Sequence, residues 1–231
     1  MTHLSLFSGV GGIDLAAEWA GFKTVAFVER DKFCQKVLAK HWPNTPIYDD
    51  ITTFDGTRFR GVDLVSGGFP CQPHSLAGKR KASSDERDLW GEMRRVVGEA
   101  RPEWVVAENV PGLFSSESGR FFGRVISDLA EMGYRVGWCC YGASDVGANH
   151  IRKRIFMVAH TNSDSKPVIP KHDEAHVMPN YARSHWERQP RSVRVDDGVS
   201  RRLDSNRLRA LGNAVVPQQI YPILKAIAEV L

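Results

Sequence analysis

Short apolar runs alternate with longer amphipathic stretches from the amino terminus to about residue 160, and few folds accommodate that order. His3 to Phe7, Thr24 to Val28, Asp63 to Ser66 and Glu103 to Glu108 read as strands, with Tyr134 to Gly142 and Arg154 to His160 as two closing strands. Between them, Gly12 to Ala20, Asp31 to Lys40, Leu89 to Ala100 and Phe121 to Met132 carry helical spacing. Ile13, Ala16, Ala17 and Ala20 share one face of the first. This alternation predicts an α/β fold: a Rossmann-like, mostly parallel sheet with helices on both faces. In such sheets ligands bind beyond the carboxyl ends of the strands, so the residues there are the candidates for chemistry.

From Thr161 to about Ser205 the pattern stops. The stretch is polar, with Pro167, Pro170, Pro179 and Pro190 and no sustained period, and its eight Lys or Arg nearly balance its seven Asp or Glu. It reads as a short loop-rich insert. Asn206 to Gly212 then leads to Asn213-Ala214-Val215-Val216-Pro217 and a final helix, about Gln218 to Val230, with Leu224, Ile227, Ala228 and Leu231 as its apolar stripe. The expected organisation is a catalytic and ligand-binding domain over 1–160, an insert over 161–205, and a carboxyl-terminal segment over 206–231 that packs back on the first domain.

Composition narrows the class. No apolar run approaches the ~20 residues of a membrane helix, and Met1 to Phe7 has no basic leader, so an intracellular protein is expected. The four cysteines, Cys34, Cys71, Cys139 and Cys140, match no zinc spacing, so no metal is expected. Cys34 falls in a helix and Cys139 and Cys140 in a strand, where core packing is the expectation. A net charge of +4 is compatible with a polyanionic partner.

Cys71 is different. It stands in Pro70-Cys71-Gln72, directly after the apolar run that ends in Gly67-Gly68-Phe69, which puts a thiol at a strand's carboxyl edge. The first strand ends in Leu6-Phe7-Ser8-Gly9-Val10-Gly11-Gly12, a glycine turn that lets a ligand approach the backbone at a helix amino terminus. Glu29 ends the second strand and can accept from two ribose hydroxyls, while Asp50-Ile51 offers a carboxylate for an exocyclic amine and an apolar side chain for a purine face. Glycine turn, acid and Asp-Ile suit a nucleoside such as adenosyl-methionine, without pyrophosphate contacts. Cys71 and Glu108 end two further strands. A thiolate and a protonated carboxyl facing one pocket can add to a pyrimidine ring, sulfur at carbon 6 and the acid at ring nitrogen 3. The acid then needs burial to raise its pKa, and Arg152 and Arg154, alternating before Ile155-Phe156-Met157-Val158, are placed to supply positive charge to the thiolate.

These blocks, with Gly68-Phe69-Pro70-Cys71-Gln72-Pro73, Glu108-Asn109-Val110, Arg152-Lys153-Arg154 and Gly212-Asn213-Ala214-Val215-Val216-Pro217 in order, resemble the DNA (cytosine-5)-methyltransferase family. The resemblance implies a methyltransferase-type sheet and S-adenosyl-methionine-dependent methylation of cytosine in double-stranded DNA, on a base flipped from the helix. It implies that Cys71 is the nucleophile and Glu108 the acid, with Arg152 and Arg154 steadying cytosine and thiolate. Phe7, Gly9, Gly11, Gly12 and Glu29 would bind the donor, Asp50 and Ile51 its adenine, and Asn213 and Val215 would close the site, while Pro70 shapes the turn that aims Cys71. Pro73 to Trp90, with Lys79-Arg80-Lys81, resembles the family's active-site loop. His150 stands where the family often has glutamine. The insert, with Tyr181 and Trp186 its only aromatics, is shorter than the family's recognition domain, which implies a very short target or an auxiliary recognition subunit. A transfer RNA substrate and a catalytically silent donor-binding module are the alternative readings.

Overall fold

The computed structural model describes residues 1–70, 89–161 and 201–231, with the backbone alone for 201–204. Cys71, the basic loop from Pro73 through Asp88, and residues 162–200 with Tyr181 and Trp186 lie outside the described residues.

Seven strands form one sheet: β1 (Thr2–Leu6), β2 (Lys23–Val28), β3 (Ile47–Tyr48), β4 (Leu64–Gly67), β5 (Trp104–Asn109), β6 (Arg135–Tyr141) and β7 (Arg154–His160). Their spatial order is β3-β2-β1-β4-β5-β7-β6. β1 to β5 run parallel, and β7 alone is antiparallel to its neighbours, β5 and β6. The chain order changes direction between β1 and β4, which makes their carboxyl ends the switch point of the sheet.

Helices cover both faces, as α1 (Gly12–Trp19), α2 (Lys32–His41), α3 (Trp90–Ala100), α4 (Arg120–Glu131), α5 (Arg201–Asn213) and α6 (Pro217–Ala228). Strand alternation divides the core in two. Leu4, Leu6, Val105, Ala107 and Met157 pack with Met93 and Val97 of α3 and Val125 and Leu129 of α4. Their neighbours Val106, Phe156 and Val158 face the other way, toward Ile13 and Ala17 of α1 and Ile220, Ile223 and Leu224 of α6. Every residue of β5 is buried, which is the environment of a central strand covered on both sides.

Local chemistry sets the helix ends. Asp31 caps α2, its Oδ1 accepting from the backbone N–H of Phe33 at 2.8 Å and Cys34 at 3.2 Å, a cap worth about 1 kcal/mol. Pro217 opens α6, where its missing N–H costs nothing. Ile220, Ile223, Leu224 and Ile227 are fully buried at the i, i+3, i+4, i+7 spacing of a helix face.

Several expectations are corrected. The buried face of α6 keeps Leu224 and Ile227 but begins a turn earlier, at Ile220; Leu231 lies past the helix end and is exposed. Cys34 is buried as expected, but Cys140 is exposed and Cys139 only half-buried. β6 is the edge strand, and its alternation turns Trp138 and Cys140 outward. Helix α5 starts at Arg201, inside the stretch expected to be loop through Ser205. Trp90 is the first residue of α3 and is buried, so the loop ends before it. No helix among the described residues is long and apolar enough to cross a membrane.

Candidate active site

The glycine turn leaves β1 through unusual backbone. Phe7 has φ of 51°, Gly9 55° and Gly11 86°, and at the non-glycine Phe7 this conformation costs about 1 kcal/mol or more. Glu29, at the tip of β2, fixes the turn from the side: its Oε2 accepts from Gly9 N at 2.7 Å and its Oε1 from Asp31 N at 2.6 Å. Burial raises the Glu29 pKa, and the two backbone donors oppose that rise. Each carboxylate oxygen retains a second lone pair, so a ribose diol can still be received there. β3 ends at Tyr48, and Asp50 begins a turn in which its Oδ1 accepts from Thr52 N at 2.9 Å and Thr52 Oγ1 at 2.7 Å. Those bonds hold the Asp50 carboxyl below its ordinary pKa, while Ile51 is buried beside it. An anionic carboxylate next to an apolar surface suits an adenine edge and face. These residues fit adenosyl-methionine.

The acid end lies two strands away from β1. Glu108 is nearly fully buried at the end of β5, on the sheet face of Val106, and Arg154 opens β7 on the same face. Arg154 Nε stands 2.8 Å from Glu108 Oε1. Burial pushes the Glu108 pKa up to about 7 against the opposing charges of Arg154 and Arg152. Near neutral pH the carboxyl therefore divides between its two protonation states, as a general acid must. Its Oε2 lies over Gly68, where a Cβ would stand only 2.7 Å away; glycine is required for that approach.

The stretch that leads to Cys71 is anchored beside this acid. Asn109 Nδ2 donates to Phe69 O at 3.0 Å. Phe69 is buried against Trp90 at a centroid distance of 5.2 Å, so the residues on either side of the 71–88 stretch touch each other. Pro70 is exposed at this edge.

The carboxyl-terminal segment reaches the glycine turn. Val215 is buried, and its carbonyl oxygen would be 2.2 Å from a Cβ at position 12, so only glycine fits there. Asn213, the last residue of α5, is exposed. Arg152 is not on the strand with Arg154. Its φ is 29° and its Nη2 donates to the carbonyl oxygens of Gly212 at 2.7 Å and Ala214 at 2.5 Å. The two arginines, expected to share one role, thus have different partners. A cleft of about 710 Å³ runs along the outer side of the glycine turn, between Gly11, Gly12, Trp42, Leu211 and Val215. Arg152 lines it too, whereas Glu29, Asp50 and Glu108 do not, so the cleft shares Gly11, Gly12 and Val215 with the expected donor residues but not the strand-end carboxylates.

Three residues of this arrangement escaped the sequence reading. Gly68 and Asn109 were seen as parts of motifs without a role. Gln219 was not seen at all; it is fully buried and donates from Nε2 to Tyr141 O and Arg152 O, both at 2.9 Å. A glutamine four residues before Ile223 and eight before Ile227, on a face otherwise apolar, was the available signal.

A mostly parallel sheet with one reversed strand, bearing its candidate residues at the switch point, is a methyltransferase-type fold. It superposes on a solved protein described as a DNA modification methyltransferase encoded within an E. coli prophage, with a TM-score of 0.62 and 26% identity over 78% of this chain and 56% of that one. The chain belongs to the C-5 cytosine-specific DNA methylase family, whose model matches residues 1–209. It is 35% identical to the Type II methyltransferase M.NgoMIV of Neisseria gonorrhoeae over 162 residues, 70% of this chain and 52% of that relative. It is 36% identical to the Type II methyltransferase M.AquIA of Picosynechococcus over 173 residues, 67% of this chain and 70% of that relative. For most of the curated relatives it matches, this chain spans about half their length or less. Membership of the family implies S-adenosyl-methionine as donor. Among the described residues no cluster of His, Cys, Asp and Glu is placed to hold a metal ion.

Proposed function

We propose that this protein methylates carbon 5 of cytosine in duplex DNA, with Cys71 as nucleophile, Glu108 as general acid and S-adenosyl-methionine as methyl donor. The observation that carries the reading is Glu108: a buried carboxyl with a pKa near 7, held by Arg154 beside the strand end that leads into Cys71. The donor, when bound, supplies an electrophilic methyl group. Phe7, Gly9, Gly11 and Gly12 form its floor and Glu29 takes its ribose. Asp50 and Ile51 hold adenine, and Asn213 and Val215 close the far side, with Pro70 at the junction with Cys71.

The target base has to leave the duplex stack to reach these groups, at a cost of about a few kcal/mol. The Cys71 thiolate bonds to carbon 6 while the proton on Glu108 Oε2 moves to ring nitrogen 3. The electron pair this directs to carbon 5 makes that carbon the methyl acceptor. Carbon 5 takes the methyl group, with the demethylated donor as leaving group; the carbon 5 proton then passes to solvent, the Cys71 thiolate is expelled and the nitrogen 3 proton returns to Glu108, which restores the aromatic ring. Arg154 holds Oε1, which leaves Oε2 to carry the proton and stabilises the carboxylate once the proton has gone. The insert from 161 to 205 is assigned to target reading, and the Type II naming of both relatives favours a short, fixed duplex sequence.

Incubation with labelled S-adenosyl-methionine tests this on cytosine duplex DNA, with total transfer RNA offered in parallel. Label is expected in the DNA and none after Cys71→Ser. A duplex carrying 5-fluorocytosine should become covalently bound to the protein in the presence of donor. Label retained by the serine variant, or no trapped complex with an active preparation, would overturn the assignment.

A further inference from the structure

We infer that Gln219 is a positioning residue for methyl transfer: its side-chain amide holds the Arg152 turn, and Arg152 holds the Gly212–Val215 segment against the donor loop. The inference rests on the proposed function and adds to it a connection between its two ends.

Gln219 lies in the first turn of α6 and is fully buried. Both protons of its Nε2 are used, one on Tyr141 O at the end of β6 and one on Arg152 O, each at 2.9 Å. Because both partners are carbonyl oxygens, the amide orientation is fixed: only nitrogen can face them. Oε1 is buried and has no hydrogen-bond partner among the described residues. A buried amide that leaves its own oxygen unsatisfied is disfavoured in a helix face otherwise made of isoleucine and leucine. What it gains is control of a backbone that is itself unfavourable, since Arg152 is a non-glycine residue at φ 29°, a conformation that persists only where its surroundings impose it.

From that turn the guanidinium reaches two carbonyls on the segment between α5 and α6, at Gly212 and Ala214. The next residue, Val215, touches Gly12 of the donor loop through its carbonyl oxygen. Arg152 also lies near enough to Glu108 for each charge to act on the other. The chain of contacts runs from Tyr141 through Gln219 and Arg152 to Gly212–Val215 and Gly12. Apolar packing of α6 would hold that helix on α1 without any of these polar bonds. The amide therefore sets the position of the arginine turn rather than the attachment of the helix.

The test uses the full chain with S-adenosyl-methionine and its demethylated product, bound by calorimetry, and methyl transfer to duplex DNA. Gln219→Met keeps length and volume but removes both donors. Donor Kd and KM are expected to rise about tenfold for two lost hydrogen bonds, with kcat at saturating donor changed less than about threefold, the signature of lost ground-state binding. Gln219→Asn, which draws the amide back by one methylene, serves if the methionine variant does not fold and should shift donor Kd in the same direction. Combined with Arg152→Met, the glutamine substitution should add less than about twofold, because both act on one contact chain. A Gln219 variant with a lowered Tm but unchanged donor Kd, or additive losses in the double variant, overturns the inference and leaves the proposed function intact. Absence of donor binding by the unaltered chain would instead overturn the function itself.

Discussion

Glu29 and Glu108 both end parallel strands of one sheet, and the fold treats them in different ways. Glu29 meets two backbone N–H groups, from Gly9 and Asp31, which bind its oxygens without adding a full charge. Glu108 meets a guanidinium at 2.8 Å and is buried more deeply. The first arrangement makes a carboxylate into a fixed acceptor, shaped by the loop it also shapes. The second makes an acid whose proton is held near neutrality, because desolvation and an ion pair pull in opposite directions. On the proposed function, equal residues at equivalent strand ends thus divide between recognition and proton transfer according to their donors.

The comparison breaks most visibly at Glu108. Glu108→Gln retains shape but has no transferable proton, so kcat should fall by about 10²- to 10⁴-fold. Donor Kd by calorimetry should stay within about twofold, as the donor contacts lie elsewhere. Equal losses in kcat and donor affinity would show that the two carboxylates are not separate. Glu29→Ala should give the converse, a donor KM raised by about 10- to 100-fold for loss of charge-assisted bonds, with a smaller change in kcat at saturation. Gly68→Ala sharpens the contrast, since its new Cβ meets Glu108 Oε2 at 2.7 Å. Displacing that oxygen should lower kcat by about tenfold, as small misplacements of reacting groups do, with donor binding unaffected.

The smallest effect is on pH dependence. Because Glu108 has a pKa near 7 in the fold against an ordinary 4.5, the folded chain binds more protons than the unfolded chain between those values. Stability from this group is full below about pH 4.5 and is lost as pH rises toward 7. Asp14, fully buried with its pKa raised from 3.8 to about 7 chiefly by desolvation, acts in the same direction. His3, depressed to about 3 by burial, acts in the opposite one as pH falls below 6.5. Urea midpoints measured from pH 5 to 8 should decline, and Glu108→Gln or Asp14→Asn should each flatten the decline. A rate that falls above about pH 7 should lose that limb in Glu108→Gln.

Strand ends were legible in the sequence because alternation and glycine turns are local. Glu29, Glu108 and the Phe7–Gly12 turn could be placed from runs of fewer than ten residues. β7 was legible over its whole length, Arg154 to His160, and it carries Arg154 to the acid. Arg152 was not, because its role depends on a positive φ and on carbonyls some sixty positions away. The expected stripe on α6 misses Ile220 and Ile223 and includes Leu231, because the helix ends at Ala228 and its buried face lies a turn nearer its start. The two-residue β3 is too short to show in the sequence pattern, and the turn that Asp50 organises after it rests on a bond to Thr52 that the pattern does not reveal. The exposure of Cys140 is not legible because nothing local in a strand announces that it lies at the sheet edge. Cys71 and residues 162–200 lie outside the described residues, so their roles follow from sequence alone.

The contact of Gly12 with the Val215 carbonyl ties together two stretches about 200 positions apart in sequence. A fragment cut after residue 160 would keep the glycine turn, Glu108 and both arginines, yet would lack the wall beside Gly12. If the proposed function holds, such a fragment should bind the donor more weakly than the longer chain, and adding the 206–231 segment in trans should restore part of that affinity.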